Sequence, residues 1–393
     1  MFVHLRSLAS VALTAGSLFV GTTAAADTVK VGFLSTLSGP SAALGVDIRD
    51  GFALGVQHSG GNLGGLKAEV IVADDQFNPE AARQTTERLL KRDKVDFMTG
   101  VVFSNIMLAV GQPIFQSKTP YISANAGPSQ YAGEQCNPYF FNVAWQNDNL
   151  HEAVGKTVKD KGYKKVAMLA PNYPAGKDAL TGFKRYYTGP VALELYTPLN
   201  QLDFGAELSQ IRASGADGVF AFYPGGLGIA FMRQWAQAGL TGKIPVFSNI
   251  ALTEPTAFQA QGKSVLGTYV SAVYFAGIDN PVNKRFVQDF KTKFGRDPAS
   301  YAGLAYDAMM LVDSAVKEVK GNVKDQAAFR AALKKANFQS VRGSFAFSSN
   351  NHPIQNTYLT VVDERSDGSL FLKATAIISE KAADNFVGKC PLK

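Results

Sequence analysis

The feature that most constrains this chain is a rhythm: short apolar or β-branched runs alternate with amphipathic helical stretches, and the alternation restarts after Trp145. In the first series Val29–Leu34, Ala68–Ala73, Val95–Thr99 and Tyr121–Ser123 read as strands, with helices at Ala42–His58 and at Pro79–Arg92, where proline occupies the first turn. The second series sets helices Asp148–Lys161, Lys177–Tyr187, Phe204–Ala213 and Ile229–Ala238 against strands Lys165–Ala170, Val191–Tyr196, Gly218–Phe222 and Ile244–Phe247. Such alternation calls for a parallel sheet covered by helices on both faces. Two of them in one chain predict an α/β fold with two parallel-sheet lobes, and Pro138–Trp145 is the crossing between them. Helices Pro281–Phe294, Tyr301–Val319 and Asp325–Lys335 follow, then β-like runs Ser344–Phe347, Tyr358–Val362 and Leu370–Ile377 with turns at Asn350-Asn351 and Asp367-Gly368. Neither lobe has room for all the late helices, so the chain is expected to return.

One stretch marks where a pocket should form. The Val95–Thr99 strand breaks at Gly100 and runs through Val101-Val102-Phe103 into a helix with Ser104 as its expected N-cap. The Tyr121–Ser123 strand ends in the small-residue loop Ala124-Asn125-Ala126-Gly127. Ligands of open parallel sheets bind beyond the carboxyl ends of strands, so these two neighbouring ends should form one wall.

The first 26 residues stand apart. Arg6, the apolar run Leu8–Val20 and Ala24-Ala25-Ala26 make a secretory signal, cleaved after Ala26. No later run reaches the roughly 18 uninterrupted apolar residues of a membrane span. No Cys follows the cleavage site to carry a lipid, which favours a free periplasmic protein. The two cysteines, Cys136 and Cys390, form either one disulfide, the simpler outcome in an oxidising compartment, or two unpaired thiols.

The formal charge of +7 raises the question of nucleic acid, but Lys and Arg are scattered among acids without a basic run or aromatic interleaving, so no nucleic-acid partner is expected. Gly225-Gly226-Leu227-Gly228 opens a helix after a strand but lacks the G-x-G-x-x-G spacing and a following acid. It reads as a tight turn allowing close backbone approach to a ligand, and no cofactor is expected. His58, His151 and His352 pair with no other His or Cys at metal spacing, so they read as solvent-facing, with no metal site and no catalytic triad. Asp74-Asp75 reads as capping and turn formation rather than acid–base chemistry. Phe103, Trp145, Tyr173 and Tyr223 each fall just after a predicted strand or at the lobe crossing, where their rings would face the gap between lobes.

The run Val31-Gly32-Phe33-Leu34-Ser35-Thr36-Leu37-Ser38-Gly39-Pro40 begins an ordered set: Gly45, Asp74-Asp75-Gln76, Val102-Phe103-Ser104, Ile122-Ser123-Ala124, Ala170-Pro171-Asn172-Tyr173-Pro174-Ala175-Gly176 and Asp203-Phe204. The set resembles the periplasmic leucine/isoleucine/valine-binding protein family over essentially the whole chain after the signal. The resemblance implies two Rossmann-like lobes joined by a three-crossing hinge, the type I periplasmic binding fold. Lobe 1 would be 27–143 plus 276–349, and lobe 2 would be 144–275 plus 350–393. It also implies a receptor that delivers a small molecule to the permease and ATPase subunits of an ABC importer, working as a monomer.

Under that resemblance, the Ser104 hydroxyl and its helix N-terminus would hold a ligand carboxylate. Asn125, Ala126 and Gly127 would present backbone groups, and Tyr173 and Tyr223 would be lobe-two contacts. Departures matter as much. Gly127 stands where branched-chain amino acid binders have threonine, and Leu44 where they have an aromatic. Ser248-Asn249-Ile250-Ala251, with Asn249 in the contact position, lacks the acid that pairs with a ligand ammonium. An unpaired buried ammonium costs several kcal/mol. With Trp145 and Phe103 added, the pattern resembles the subgroup that binds cinnamate- or benzoate-type acids. The alternatives are an amino acid or amide receptor in which Glu254 supplies the missing acid, a secreted α/β enzyme, for which no nucleophile or base is evident, and a sensory domain, for which this chain has no signalling module.

Overall fold

The computed structural model describes residues 28–392, so the signal segment lies outside the described residues. Six strands form the first sheet: β1 (Thr28–Ser35), β2 (Asn62–Leu63), β3 (Leu66–Asp74), β4 (Phe97–Thr99), β5 (Tyr121–Ser123) and β6 (Phe140–Asn142). Their spatial order is β2-β3-β1-β4-β5-β6, parallel except for the β2–β3 hairpin. The central strands are buried along their length because helices cover both faces.

The second sheet comprises β7 (Val166–Pro171), β8 (Val191–Thr197), β9 (Gly218–Ala221), β10 (Val246–Asn249), β11 (Tyr269–Ala272), β12 (Ala346–Phe347), β13 (Pro353–Glu364) and β14 (Leu370–Ala382). It runs β12-β13-β11-β10-β9-β7-β8, with β14 on β13. Its first five strands are parallel and its last three antiparallel, so the sheet is mixed. The chain leaves the first sheet after β6. It returns after β11, where helices Pro281–Phe294 and Ser300–Glu318 pack on the Ala42–His58 helix, and passes back before β13. Two of these passages are tied together, since Asn142 N donates to Asn351 O at 2.9 Å and Gln355 Nε2 to Ala144 O at 2.9 Å.

Differences from the sequence reading have local causes. The crossing Pro138–Trp145 includes strand β6, because the Phe140 ring stacks on Tyr121 at 5.9 Å and holds the segment in register with β5. Strand β2, with two residues, is too short to give a pattern, and the four-residue β11 was not anticipated. Strand β13 starts five residues before Tyr358, since its alternating burial carries polar residues on one face. The helix after β4 begins at Ser104, capped by the extended Phe103 rather than by the serine hydroxyl. Cys136 and Cys390 are joined in a disulfide with Cα atoms 5.6 Å apart, which resolves the open choice about the thiols. No helix among the described residues is long and apolar enough to cross a membrane.

Candidate functional site

A narrow cavity with about 30 Å³ of free space lies where strand ends of the two sheets meet. From the first lobe come Val102, Phe103, Ser104, Asn125 and Ala126. The crossing and second lobe add Trp145, Asn147, His151, Tyr173, Phe222 and Asn249, and Tyr301 reaches in from the returning helix. All of these are buried.

The loop after β5 is rigid by hydrogen bonding: Ser123 Oγ donates to Ala126 O at 2.7 Å, and Asn125 Nδ2 to Val102 O at 2.5 Å. Asn147 N donates to Gly127 O at 2.8 Å, tying that loop to the helix after the crossing. Asn147 Nδ2 donates to Ser104 Oγ at 3.0 Å and to Asp178 Oδ2 at 2.9 Å. Because Ser104 Oγ is already accepting there, its own proton is free to donate to a guest. Asp178 also accepts from Ser129 Oγ at 2.8 Å, so a carboxylate of one lobe is held by a serine of the other.

Rings enclose the rest. Phe103 sits 6.3 Å from Tyr173, which stacks on Phe222 at 6.3 Å, and Phe222 meets the His151 ring edge-on at 4.9 Å. Across the cavity Trp145 is 5.8 Å from Tyr301. Among the described lining residues none is Lys, Arg, Asp or Glu. The polarity comes instead from helix starts: Ser104 and Asn147 are first residues of their helices, Ala175 and Tyr301 second residues of theirs, and Pro224 lies two residues before another. Convergent helix N-termini place partial positive charge around the space without any side-chain cation, an environment that favours an anion.

Phe103, Ser104, Asn125, Ala126, Trp145, Tyr173 and Asn249 thus share one cavity, while three expected contacts do not. Tyr223 packs in the second-lobe core at 4.8 Å from Phe204, and its oxygen accepts from Thr197 Oγ1 at 3.3 Å. Successive side chains of an extended segment alternate, so Phe222 takes the cavity and Tyr223 the opposite face. Leu44 lies at the seam instead: a Cβ on Gly225, which has φ +60°, would fall 3.2 Å from Leu44 Cδ1. The glycine turn therefore approaches the other lobe rather than a guest. Gly127 lies behind the wall, where a Cβ would fall 1.9 Å from Trp145 O, so only glycine lets the crossing pass this close.

The histidine reading is also corrected. His151 and His352 are buried, and the His58 side chain is nearly so, bonding Tyr306 and Asp289. Asp74 and Asp75 take turn roles, accepting from Leu37 N and Gln76 N, and from Thr36 Oγ1 and Phe77 N. Glu254 does not line the cavity; its oxygens meet Ser300. The sequence reading missed Asn147, His151, Phe222 and Tyr301. Period-two alternation beyond β9 marks Phe222, whereas Tyr301 arrives from a helix with no local pocket signal.

A cavity enclosed between two sheet-based lobes, lined by rings and polarised by helix starts, is the site of a two-lobed solute-binding protein. The chain belongs to the periplasmic binding protein family, whose model matches residues 28–369. It is 30% identical over 375 residues to a Leu/Ile/Val-binding protein homologue 6 of Brucella melitensis, covering 92% of this chain and 95% of that one. It is similar to a solute-binding protein of an ABC transporter from R. palustris in complex with benzoate, with TM-score 0.88, 30% identity, and coverage of 92% and 99% of the two chains. A Rhodopseudomonas palustris BisB5 solute-binding protein in complex with 3,4-dihydroxybenzoic acid matches with TM-score 0.86, 30% identity, and coverage of 92% and 99%.

Proposed function

We propose that this protein is the solute receptor of an ABC importer and that its solute is a small aromatic carboxylate of the benzoate or cinnamate type. The observation that carries this reading is a ring-lined cavity without a charged side chain, onto which helix N-termini converge. The carboxylate would sit at Ser104 and the loop of Asn125 and Ala126, and Phe103, Trp145, Tyr173 and Phe222 would cover the ring. The benzoate and dihydroxybenzoate complexes of similar proteins support the choice. An amino acid receptor is less well supported, since both oxygens of Glu254 are engaged by Ser300 and the described lining holds no acid for an ammonium. Binding and release without turnover would be its whole activity. Lobe boundaries at 27–143 plus 276–349 and 144–275 plus 350–393, cleavage after Ala26, periplasmic release and a monomeric state complete the proposal.

Titration calorimetry and thermal shift with benzoate, cinnamate, leucine, isoleucine and valine test it. Aromatic acids should bind and raise the melting temperature. A response to the branched-chain amino acids alone would reject the proposal.

A further inference from the structure

One buried titratable group of the cavity has no part in holding a carboxylate. His151 lies in the cavity wall, and its Nδ1 is buried without a hydrogen-bond partner among the described residues. The rings packed on it, Phe222 at 4.9 Å and Phe220 at 5.6 Å, offer no hydrogen bond. Burial pushes its pKa down to about 3, so at neutral pH the ring is uncharged. A neutral imidazole carries one donor and one acceptor.

Its placement indicates what it meets. His151 is four residues after Asn147 on one helix face, and Asn147 is bonded to Ser104 at the proposed anionic end. Four residues of helix advance about 6 Å. That is the order of the separation between the carboxyl carbon of a benzoate and a substituent on the far side of its ring. A guest anchored at Ser104 and covered by Tyr173 and Phe222 would therefore bring the distal part of its ring towards the imidazole.

We infer that His151 recognises a hydroxyl group on the ring of the bound acid, so that the preferred solute is a ring-hydroxylated aromatic carboxylate rather than an unsubstituted one. This rests on the aromatic-carboxylate reading above and narrows it. A phenolic hydroxyl can donate to the imidazole acceptor or accept from its N–H, satisfying a polar group that an unsubstituted ring leaves without a partner. Sites built to bond a hydroxyl discriminate against analogues that lack it because the buried partner is then stranded.

The test is the affinity of the whole secreted protein for benzoate, 3-hydroxybenzoate and 4-hydroxybenzoate, measured by calorimetry on wild type, His151→Phe and His151→Gln. Wild type should bind at least one hydroxybenzoate about ten-fold or more tighter than benzoate, the worth of one buried hydrogen bond. In His151→Phe that ratio should collapse towards one, and His151→Gln, which keeps a donor and an acceptor, should retain part of it. A wild type that binds all three acids equally overturns the His151 inference and leaves the aromatic-carboxylate reading standing. One that binds none of them overturns the His151 inference, and if cinnamate also fails to bind, the aromatic-carboxylate reading falls with it. An undiminished ratio in His151→Phe, or in His151→Gln should the phenylalanine variant fail to fold, also overturns the assignment.

Discussion

Glu254, on the segment after β10 of the second sheet, caps a helix of the first lobe through Ser300: Ser300 N donates to Glu254 Oε2 at 3.0 Å, and the serine hydroxyl meets Oε1. The carboxyl thus joins the two halves of the molecule directly. Burial raises its pKa from an ordinary 4.5 to about 8, with the Asp47 carboxyl adding to the rise.

A raised pKa means that the folded state binds a proton more tightly than the unfolded chain. The stabilisation is whole below about pH 4.5 and is lost as the pH climbs through about 8. Melting temperatures measured from pH 5 to 9 should fall less steeply in Glu254→Gln than in wild type, because an amide keeps both hydrogen bonds without titrating. Equal slopes in the two proteins would show that Glu254 is not the titrating group.

Ser104→Ala should weaken binding of an aromatic carboxylate by about ten-fold or more, since a hydrogen bond to a charged group is worth about 1.5–3 kcal/mol. The backbone at the start of the helix is untouched, so the melting temperature of the unliganded protein should move by only a few degrees. Calorimetry on both proteins checks this, and unchanged affinity would place the anion elsewhere in the cavity.

At Gly127 the prediction concerns stability. A methyl group there meets Trp145 O at 1.9 Å and Asn142 Nδ2 at 2.6 Å, atoms held by their own hydrogen bond, Asn142 Nδ2 donating to Trp145 O at 2.6 Å. Gly127→Ala should therefore cost about 1–3 kcal/mol, in the range of overpacked sites, and weaken solute binding by displacing the Trp145 ring. Urea unfolding monitored by tryptophan fluorescence measures the first effect. A wild-type midpoint would mean that the crossing yields easily.

Reduction of the Cys136–Cys390 bond, or its removal by Cys136→Ser with Cys390→Ser, should cost about 2–4 kcal/mol, because the bond closes a long loop in the unfolded chain. The two residues are 254 apart in sequence. Thermal melts with and without reductant read the difference. Identical melts would show that the bond leaves stability unaffected.

The fold was readable from sequence wherever a helix or strand carries its own punctuation. Pro281–Phe294 has proline at its first position and Asn280 before it, whose side chain accepts from Asn283 N, and the structure keeps both boundaries. Tyr121–Ser123 and Ala42–His58 likewise keep theirs. The cavity was readable where a short segment leads out of a strand of the first lobe, as at Ser104, five residues after β4, and Ala126, three residues after β5. At Tyr223 the same rule failed by one position, because β9 ends at Ala221 and the pleat turns the tyrosine inward. His151 was misjudged because a histidine on an amphipathic helix resembles its polar face, and nothing local tells that Phe220 and Phe222 will pack on it. Tyr301 lies 128 residues after Tyr173 in the chain, and only the return of the chain after β11 brings them to one space.

The sulfur bridge gives the molecule a mechanical bias. Cys136 lies on the loop between β5 and β6, and Cys390 lies in the tail that leaves β14, so the bond is a fourth tether beside the three chain passages. It lies close to them: Asn350, in the third passage, donates to Ala132 O at 2.9 Å, four residues before Cys136. Four pins along one edge permit one lobe to swing against the other and resist a slide.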